Sequence, residues 1–349
     1  MTYRVIQWAT GNIGRAAVEG IVAHPELELV GAWVHSEGKA GRDVGEVCGL
    51  GALGVTASQD VDALLALGAD CVHYSPLLGR PDEVIRLLEA GLNVVTPLGW
   101  FYPFRTTGAG VAEIEAACRK GGVTLHGSGI HPGGITERFP LMLSALCTNI
   151  RHVRAEEFSD IRNYAAEAVV REVMLFGKPL EEAANSVMLN VLGHGFKQSI
   201  DMIAAGLHIE LDAEKRVTHE MAVATAPIEA PVGTIETGTV AAQRFTWQGT
   251  VKGEPVITVR VNWLMGEENL DPPWRLDGQR FEVAFDADPP LELVFHGMHP
   301  PEVGQDLDRL PGIIAPAMHC VNAIPYVCEA EPGIKTYLDL PLIAGRFSP

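Results

Sequence analysis

The amino-acid sequence predicts an α/β protein in which a doubly wound parallel sheet is joined to an α+β domain with a mostly antiparallel sheet. Up to about residue 145, short apolar runs alternate with segments of helical period, as in repeated strand–helix–strand units. Beyond about residue 150, long alternating runs rich in β-branched residues indicate antiparallel strands. A length of 349 residues is suited to two domains. We therefore expect the parallel sheet in residues 1–148 and 310–349 and the second domain in residues 149–309.

The chain starts with a predicted strand, a glycine-containing loop and a helix. "YRVIQWA" is a short apolar run, and "NIGRAAVEGIVAH" places Ile13, Ala17 and Ile21 on one helical face. Further strands are predicted in "LELVGAWVH", "ADCVHYSP", "LNVVTP" and "VTLHGSG", and further helices in "VDALLALG", "PDEVIRLLEAG" and "GVAEIEAACRKG". Strands that alternate with helices across short loops form a Rossmann-type parallel sheet, which binds ligands at the carboxyl ends of its strands.

The second domain is predicted to open with a strand in "HVRAEEFSDI", followed by helices at residues 165–176, 180–192 and 199–205. Its remaining strands are predicted in "VTHEMAVATA", "TGTVAAQRFTWQGTV", "PVITVRVNWLM", "RFEVAFD" and "LELVFHG". The late stretch "GIIAPAMHCVNAIPYVCEAEPGI" is helix-like and so apolar that it must pack against a core. We expect it to break at Pro325 and to return to the first domain.

The stretch "ATGNIG" at residues 9–14 matches the dinucleotide-binding pattern G-x-G-x-x-G, except that Ala9 stands at the first glycine. Gly11 would let the backbone approach a pyrophosphate, and Gly14 would let the helix pack closely, while the helix N-terminus attracts the anion. The strand–loop–helix setting favours a cofactor loop over a purely structural turn. The predicted loop comprises Ala9, Thr10, Gly11, Asn12, Ile13 and Gly14.

The end of the second strand indicates which cofactor is bound. An acidic residue there would bind the adenosine ribose, but the sequence continues with His35 and Ser36, followed by Lys39 and Arg42. A hydroxyl and two cations suit a 2′-phosphate, so we predict NADP, with NAD as the other possibility. The alternative is a solvated loop in which the two cations balance neighbouring carboxylates.

The other strand ends contribute further candidates. We predict cofactor contacts from Tyr74, Ser75, Pro76 and Thr96, and from Asn322 in the C-terminal segment.

Hydride transfer to a carbonyl or imine carbon needs a proton donor near the heteroatom, and we assign Tyr102 and His131 to that catalytic role. Tyr102 could instead be an apolar wall residue, and His131 a loop histidine bonded to the backbone. Glu157, Asp160 and Asn163 follow the first strand of the second domain, and one of them could supply a carboxylate or amide. The apolar run "LGWFYPF" predicts a fairly apolar small substrate.

Several classes of function are disfavoured by composition. The formal net charge of −18 argues against binding of nucleic acid or anionic membranes. The six cysteines form no C-x-x-C motif, so we expect neither disulfides nor a zinc site. His296, His299 and His319 are better explained as loop histidines than as a metal site. With no signal peptide or spanning segment predicted, we expect a cytoplasmic protein.

The sequence resembles the dihydrodipicolinate reductase-related family that includes 2,4-diaminopentanoate dehydrogenase and native amine dehydrogenases. The resemblance rests on "QWATGNIGR", "GKAGRDVGE", "GLNVVTP", "HGSGIHPGGITERFPL" and "VNAIPYVCEAEPGI". It implies an NAD(P)-binding Rossmann domain and a second domain whose β-sheet forms a homodimer. Family members of the amine dehydrogenase type carry an acidic residue just after the strand that matches "NVVTP", whereas residues 98–103 here contain no carboxylate.

These observations together predict an NAD(P)-dependent oxidoreductase. It would transfer hydride between nicotinamide and a carbonyl, imine or amine carbon of a small substrate. The alternatives are a carbonyl reductase that does not use ammonia and a non-catalytic NADP-binding regulatory protein.

Overall fold

A computed structural model describes residues 2–105, 110–164, 167–186, 188–300 and 310–347. The chain forms two compact units, the first comprising Met1–Gly134 and Ile313–Pro349 and the second Ile135–Gly312. Each unit contains one seven-stranded sheet.

The first unit contains a parallel sheet with the strand order β14-β6-β5-β4-β1-β2-β3, in which every neighbouring pair is parallel. The reversal of strand order on either side of β1 is the doubly wound pattern, and the predicted Rossmann-type fold is confirmed. The strands are β1 (Tyr3–Trp8), β2 (Leu27–Trp33), β3 (Ala57–Ser58), β4 (Cys71–Tyr74), β5 (Asn93–Thr96), β6 (Thr124–Gly127) and β14 (Gly333–Lys335).

Helices cover the sheet of the first unit. They are α1 (Asn12–Ala23), α2 (Val44–Cys48), α3 (Val61–Leu65), α4 (Pro81–Glu89), α5 (Val111–Gly121) and α9 (Pro311–Cys328). α1 buries Gly14, Ala17, Val18 and Ile21, as the periodicity of its apolar residues predicts. These side chains join a core that also contains β1, β2 and α9.

Helix α9 differs from the sequence prediction because it passes through Pro325 and ends only at Cys328. A proline inside a helix costs roughly 3 kcal/mol, whereas each large aliphatic side chain that is buried contributes roughly 1.5–3 kcal/mol. Val321, Ile324 and Val327 are all buried in the core of the first unit. Tertiary packing therefore outweighs the effect of the proline, and the predicted break at Pro325 is wrong.

The second unit contains a mixed sheet with the order β11-β8-β9-β10-β7-β12-β13. Only the pair of β7 and β10 is parallel, and the other neighbours are antiparallel, so the predicted mostly antiparallel sheet is confirmed. The strands are β7 (Thr148–Asp160), β8 (Arg216–Ala224), β9 (Val240–Val251), β10 (Glu254–Leu264), β11 (Leu270–Asp271), β12 (Arg280–Asp288) and β13 (Leu291–Phe295).

The helices of this unit are α6 (Arg138–Ser144), α7 (Leu180–Ala184) and α8 (Met188–Gly206), and a single π-helical turn spans Val169–Val173. The two helices predicted at 180–192 and 199–205 are thus divided differently, since α8 is one continuous helix. The residues left out, 193–198, include Gly193, which packs so closely against Trp247 that a Cβ there would stand 2.8 Å from Nε1 of the tryptophan. α8 covers one face of the sheet, where Phe196 stacks on Trp247 at a centroid distance of 4.4 Å.

Candidate functional site

The loop after β1 is held in place by a buried glutamine that the sequence analysis did not select. The side-chain nitrogen of Gln7 donates hydrogen bonds to the Ala9 carbonyl at 2.7 Å and to the Ser75 hydroxyl at 3.0 Å. Its side-chain oxygen lies 2.9 Å from Nδ1 of His73, and burial lowers the pKa of that histidine to about 4. Gln7 therefore ties the ends of β1 and β4 together. A polar residue inside an apolar strand was the available signal.

The glycines of this loop have two separate roles. A Cβ on Gly14 would stand 2.2 Å from the Ala9 carbonyl oxygen, so only glycine fits there. A Cβ on Gly11 would meet no atom within 4 Å, so open space lies over its backbone. Ala9 has a φ of 71°, the left-handed conformation that favours glycine. The chain path therefore follows the glycine pattern even where alanine replaces glycine.

The first turn of α1 presents backbone N–H groups to an anion. Gly11 is the N-cap residue and provides no side-chain hydrogen bond, and no acidic residue lies in the first turn. Asn12 is exposed there, while Ile13 packs partly against the core. Nζ of Lys39 lies 3.2 Å from Oγ1 and 3.3 Å from the carbonyl oxygen of Thr10. An uncapped helix N-terminus beside an ammonium group suits the phosphates of a dinucleotide.

The end of β2 presents His35, Ser36 and Arg42 as exposed side chains. Within the described residues, neither Lys39 nor Arg42 forms an ion pair with a carboxylate. The neighbouring carboxylate of Asp43 accepts hydrogen bonds from four backbone N–H groups instead. These bonds, led by that from Leu53, hold the pKa of Asp43 below its usual value. Two cations and a hydroxyl thus remain available beside the loop.

The predicted cofactor-binding residues at the end of β4 differ in how deeply they are buried. Tyr74 is fully buried and its hydroxyl donates to Glu83 at 2.7 Å, so its side chain belongs to the core. Ser75 is bonded to Gln7, and Pro76 is half-buried. Ser75 and Pro76 therefore lie near the loop after β1, whereas Tyr74 has no surface exposed to a ligand.

The loop after β5 is more deeply packed than its sequence indicated. The buried Thr96 accepts a hydrogen bond from the Leu98 N–H at 3.2 Å. Trp100 and Phe101 are buried, whereas Tyr102 is half-buried and meets Phe104 edge-to-face at 5.1 Å. Fewer side chains of the run "LGWFYPF" are therefore available to a substrate than the sequence predicted, because Trp100 joins the core of the first unit.

The loop after β6, which carries the half-buried His131, is held by two residues that sequence reasoning missed. The Tyr337 hydroxyl donates to the Gly133 carbonyl at 2.5 Å, and Nδ1 of His319 lies 2.6 Å from the Gly129 carbonyl oxygen. The two rings stack at a centroid distance of 5.5 Å. Both residues lie about two hundred positions downstream, so no local pattern could identify them.

Asn322 and the histidines considered for a metal site are the remaining candidate residues. Asn322 is half-buried on α9. His319 lies within α9 in the first unit, so its prediction as a loop histidine is wrong. His299 lies in the second unit, where it bonds to Ser159. No cluster of three or more His, Cys, Asp or Glu side chains suited to a metal occurs in the described parts of the chain. No helix in those parts is long and apolar enough to cross a membrane.

Comparisons with known proteins agree with this architecture. Residues 5–75 match the family described as dihydrodipicolinate reductase, N-terminus, and residues 135–263 match the 2,4-diaminopentanoate dehydrogenase C-terminal domain. An amine dehydrogenase from Streptomyces virginiae is 33% identical over 352 residues, covering 97% of this chain and 96% of the relative. The 2,4-diaminopentanoate dehydrogenase of Acetoanaerobium sticklandii is 26% identical over 265 residues, covering 75% and 70%.

The fold is shared with a solved amine dehydrogenase from Mycobacterium smegmatis, which has a TM-score of 0.80 and 21% identity, covering 99% of this chain and 98% of the other. The 33% identity to the Streptomyces protein extends over nearly the full length of both chains. It therefore shows membership of the same family and not only a shared fold. The chain therefore belongs to the amine dehydrogenase family, and it is an NAD(P)-dependent oxidoreductase.

Proposed function

We propose that this enzyme is an NADP(H)-preferring amine dehydrogenase that acts on a fairly apolar small ketone or amine. The observation that carries the proposal is the uncapped N-terminus of α1, with Lys39 bonded to Thr10 beside it. The first unit would be the dinucleotide-binding domain and the second the substrate domain. When bound, the nicotinamide would supply or accept the hydride.

The cofactor contacts are proposed around that helix terminus. The backbone of residues 9–14 would hold the pyrophosphate, because Gly11 leaves open space and the α1 dipole favours negative charge. Ser75 and Pro76 would line the end of β4, and Asn322 would contribute from α9. The buried Tyr74 and Thr96 would hold the ends of β4 and β5 in position.

The preference for NADP(H) is proposed from His35, Ser36, Lys39 and Arg42. An adenosine 2′-phosphate adds negative charge, which the two cations would neutralise and the Ser36 hydroxyl would hydrogen-bond. The Asp43 carboxylate does not compete for Arg42, since its oxygens accept backbone N–H groups.

The experiment is a comparison of NADPH and NADH binding by fluorescence titration, in the wild type and in Ser36→Asp and Arg42→Ala. Each change removes or opposes a charge-assisted phosphate contact, so NADPH should bind roughly 10-fold or more weakly while NADH binding is kept or improved. Arg86→Ala serves as a matched control, because Arg86 is an exposed arginine of the same unit on α4. An unchanged preference in Ser36→Asp would contradict the proposed role of this loop.

Tyr102 and His131 are the proposed proton donors for the substrate heteroatom. Both are half-buried, and both lie on loops at the carboxyl edge of the parallel sheet. Tyr102→Phe and His131→Asn should each lower kcat by roughly 100-fold with NADPH binding unchanged. If kcat stays at the wild-type value in both variants, these assignments are wrong.

A carbonyl reductase that does not use ammonia is the second candidate function. It is favoured by one observation, the absence of a carboxylate from residues 98–103. Assays of ketone reduction with and without ammonium distinguish the two candidates, since only an amine dehydrogenase forms an amine.

We also propose a cytoplasmic homodimer formed through the sheet of the second unit. α8 packs on one face of this sheet, and the opposite face carries Arg154, Arg244 and Arg260, each bonded to polar neighbours on adjacent strands. Sedimentation analysis should give twice the monomer mass of 37.5 kDa. A monomer at micromolar concentration would contradict the dimer.

A further inference from the structure

A fully buried amide side chain lies between the ends of two strands and the loop that follows β1. Gln7 is the last residue but one of β1, and its partner on the neighbouring strand β4 is His73. Both side chains are fully buried. A buried amide has to satisfy its donors and its acceptor inside the protein, so its bonds show which segments it holds in place.

Both polar atoms of the Gln7 amide are bonded. Nε2 donates to the Ala9 carbonyl at 2.7 Å, to the Ser75 hydroxyl at 3.0 Å and to the Trp8 carbonyl at 3.3 Å. Oε1 can only accept, so Nδ1 of His73 carries the proton that it donates across 2.9 Å. Nε2 of His73 is buried with no hydrogen-bond partner among the described residues. The single hydrogen bond of this imidazole is therefore the one that orients the Gln7 amide.

The bond from Gln7 to Ala9 acts on a residue whose backbone conformation is strained. Ala9 has a φ of 71°, in the left-handed region that glycine adopts without strain. Its N–H donates to the Trp33 carbonyl at the end of β2 at 2.9 Å, and its carbonyl accepts from Gln7. Both backbone polar groups of Ala9 are thus fixed by the ends of strands. These two bonds compensate the strain of an alanine at the first glycine position.

The same amide also limits the space at the start of α1. A Cβ on Gly14 would stand 3.0 Å from Nε2 of Gln7 and 2.2 Å from the Ala9 carbonyl oxygen. The glycine therefore leaves room for the hydrogen bond between these two groups. Gln7 consequently connects the loop of residues 9–14 with the first turn of α1 and, through Ser75, with the segment after β4.

We propose that Gln7 is a positioning residue for the dinucleotide, because its amide holds Ala9 in the left-handed conformation and so takes the place of the missing first glycine. The inference rests on the proposed binding of the cofactor pyrophosphate by residues 9–14. One consequence separates it from a purely structural role. The requirement for the Gln7 amide disappears once residue 9 is a glycine, which adopts the same conformation unaided.

The test is a double-mutant cycle on cofactor affinity, measured by fluorescence titration. Gln7→Met conserves side-chain volume and removes the amide, so NADPH should bind roughly 10-fold or more weakly. In an Ala9→Gly background, the same change should weaken NADPH binding by no more than about threefold. NADH carries the same pyrophosphate, so its affinity should follow the same pattern and the ratio of the two affinities should not change.

A glutamine of the second unit provides a matched control. Gln243 on β9 is fully buried, its Nε2 donates to the Met174 carbonyl, and its Oε1 lies 2.9 Å from Nε2 of His219. Gln243→Met removes the same kinds of bond and leaves their partners unpaired, so thermal unfolding should show a loss of stability like that of Gln7→Met. Its affinity for NADPH should equal that of the wild type.

A Gln7→Met variant that binds both cofactors as tightly as the wild type would overturn the inference. It would also be overturned if the loss of affinity were as large in the Ala9→Gly background, since Gln7 would then act through something other than Ala9. A wild type that binds neither NADPH nor NADH would overturn the proposed function, and this inference with it.

Gln7→Asn provides a second test that does not depend on Gln7→Met folding. It keeps a buried amide but shortens the side chain by one methylene, which takes the donor out of reach of the Ala9 carbonyl. Cofactor binding should again weaken in the Ala9 background and be kept with glycine at that position. Hydrogen exchange of the cofactor-free protein should be faster in residues 9–14 of Gln7→Asn and unchanged in the second unit. Wild-type exchange in that loop would rule out the proposed contact.

Discussion

Ala9 is the residue at which the sequence pattern and the backbone conformation disagree. Its φ of 71° is one that L-residues adopt at a cost of roughly 1–2 kcal/mol. Ala9→Gly should therefore stabilise the protein by up to about 1 kcal/mol, once the greater freedom of glycine in the unfolded chain is subtracted. Ala16→Gly, an identical change inside α1, should destabilise it by about 1 kcal/mol. Chemical denaturation measures both, and two effects of the same sign would contradict the assigned conformation.

Glu157 makes the stability of the protein depend on pH. Burial raises its pKa from 4.5 in the unfolded chain to about 7 in the fold, so the folded state binds more protons between those values. This contribution is fully present below pH 4.5 and is lost as the pH rises to 7, amounting to on the order of 3 kcal/mol. Glu157→Gln cannot ionise and should gain that stability relative to wild type at pH 8.

Denaturant unfolding at pH 4.5 and pH 8 tests this expectation. Glu220→Gln is a suitable control, because its side chain is 54% exposed in the same unit. If the stability difference between wild type and Glu157→Gln is the same at both pH values, the carboxyl titrates normally in the fold.

Single residues were predictable from sequence where they belong to a local pattern. Gly11 and Gly14 were predicted because their spacing matches the dinucleotide-binding pattern and because they lie between a strand and a helix. The roles of Gln7, His319 and Tyr337 were not predicted, because their partners in the fold are distant in sequence. The burial of Tyr74 was also hidden, since it depends on helix α4, where Glu83 accepts the hydrogen bond of the Tyr74 hydroxyl.

At the scale of elements, the loop between β1 and α1 contains two glycines for which we expect different roles. Gly14 allows close packing, and Gly11 leaves space for a ligand. Gly14→Ala would bring a Cβ to 2.2 Å from the Ala9 carbonyl, so it should destabilise the first unit by roughly 1–3 kcal/mol and weaken cofactor binding. Gly11→Ala meets no protein atom, so stability should be kept while cofactor affinity falls about 10-fold or more. Thermal unfolding and NADPH titration separate the two effects.

An equal loss of stability in both glycine variants would show that Gly11 also serves packing. Unchanged NADPH affinity in Gly11→Ala would place the pyrophosphate elsewhere.

Elements with clear periodicity were predicted well, and those that depend on burial were not. α1 and most strands of both sheets follow from their apolar spacing, whereas the short strands β3, β11 and β14 were not predicted. The continuation of α9 through Pro325 and the unbroken length of α8 depend on tertiary contacts, such as the burial of Val321 and Ile324 and the packing of Phe196 against Trp247. Local propensity carries no information about such contacts.

At the scale of the whole molecule, the two-unit organisation explains why the residues of the site could be predicted only in part from the sequence. The change in residue pattern along the chain predicted a parallel sheet and a mostly antiparallel sheet, and both are present. The C-terminal helix α9 and strand β14 complete the first unit, and β14 pairs with β6 from two hundred residues earlier. A residue such as Tyr337, which follows β14, therefore reaches the loop of His131 through a pairing that composition does not reveal.

The central claim is that this chain is an ammonia-using, nicotinamide-dependent amine dehydrogenase. The most direct test is to follow NADPH oxidation at 340 nm with a panel of apolar ketones, with and without ammonium, and to identify the product. Oxidation of NADPH should require ammonium and should yield the amine in equal amount. Oxidation that ignores ammonium and yields only the alcohol, or no oxidation with either NADPH or NADH, would contradict the central claim.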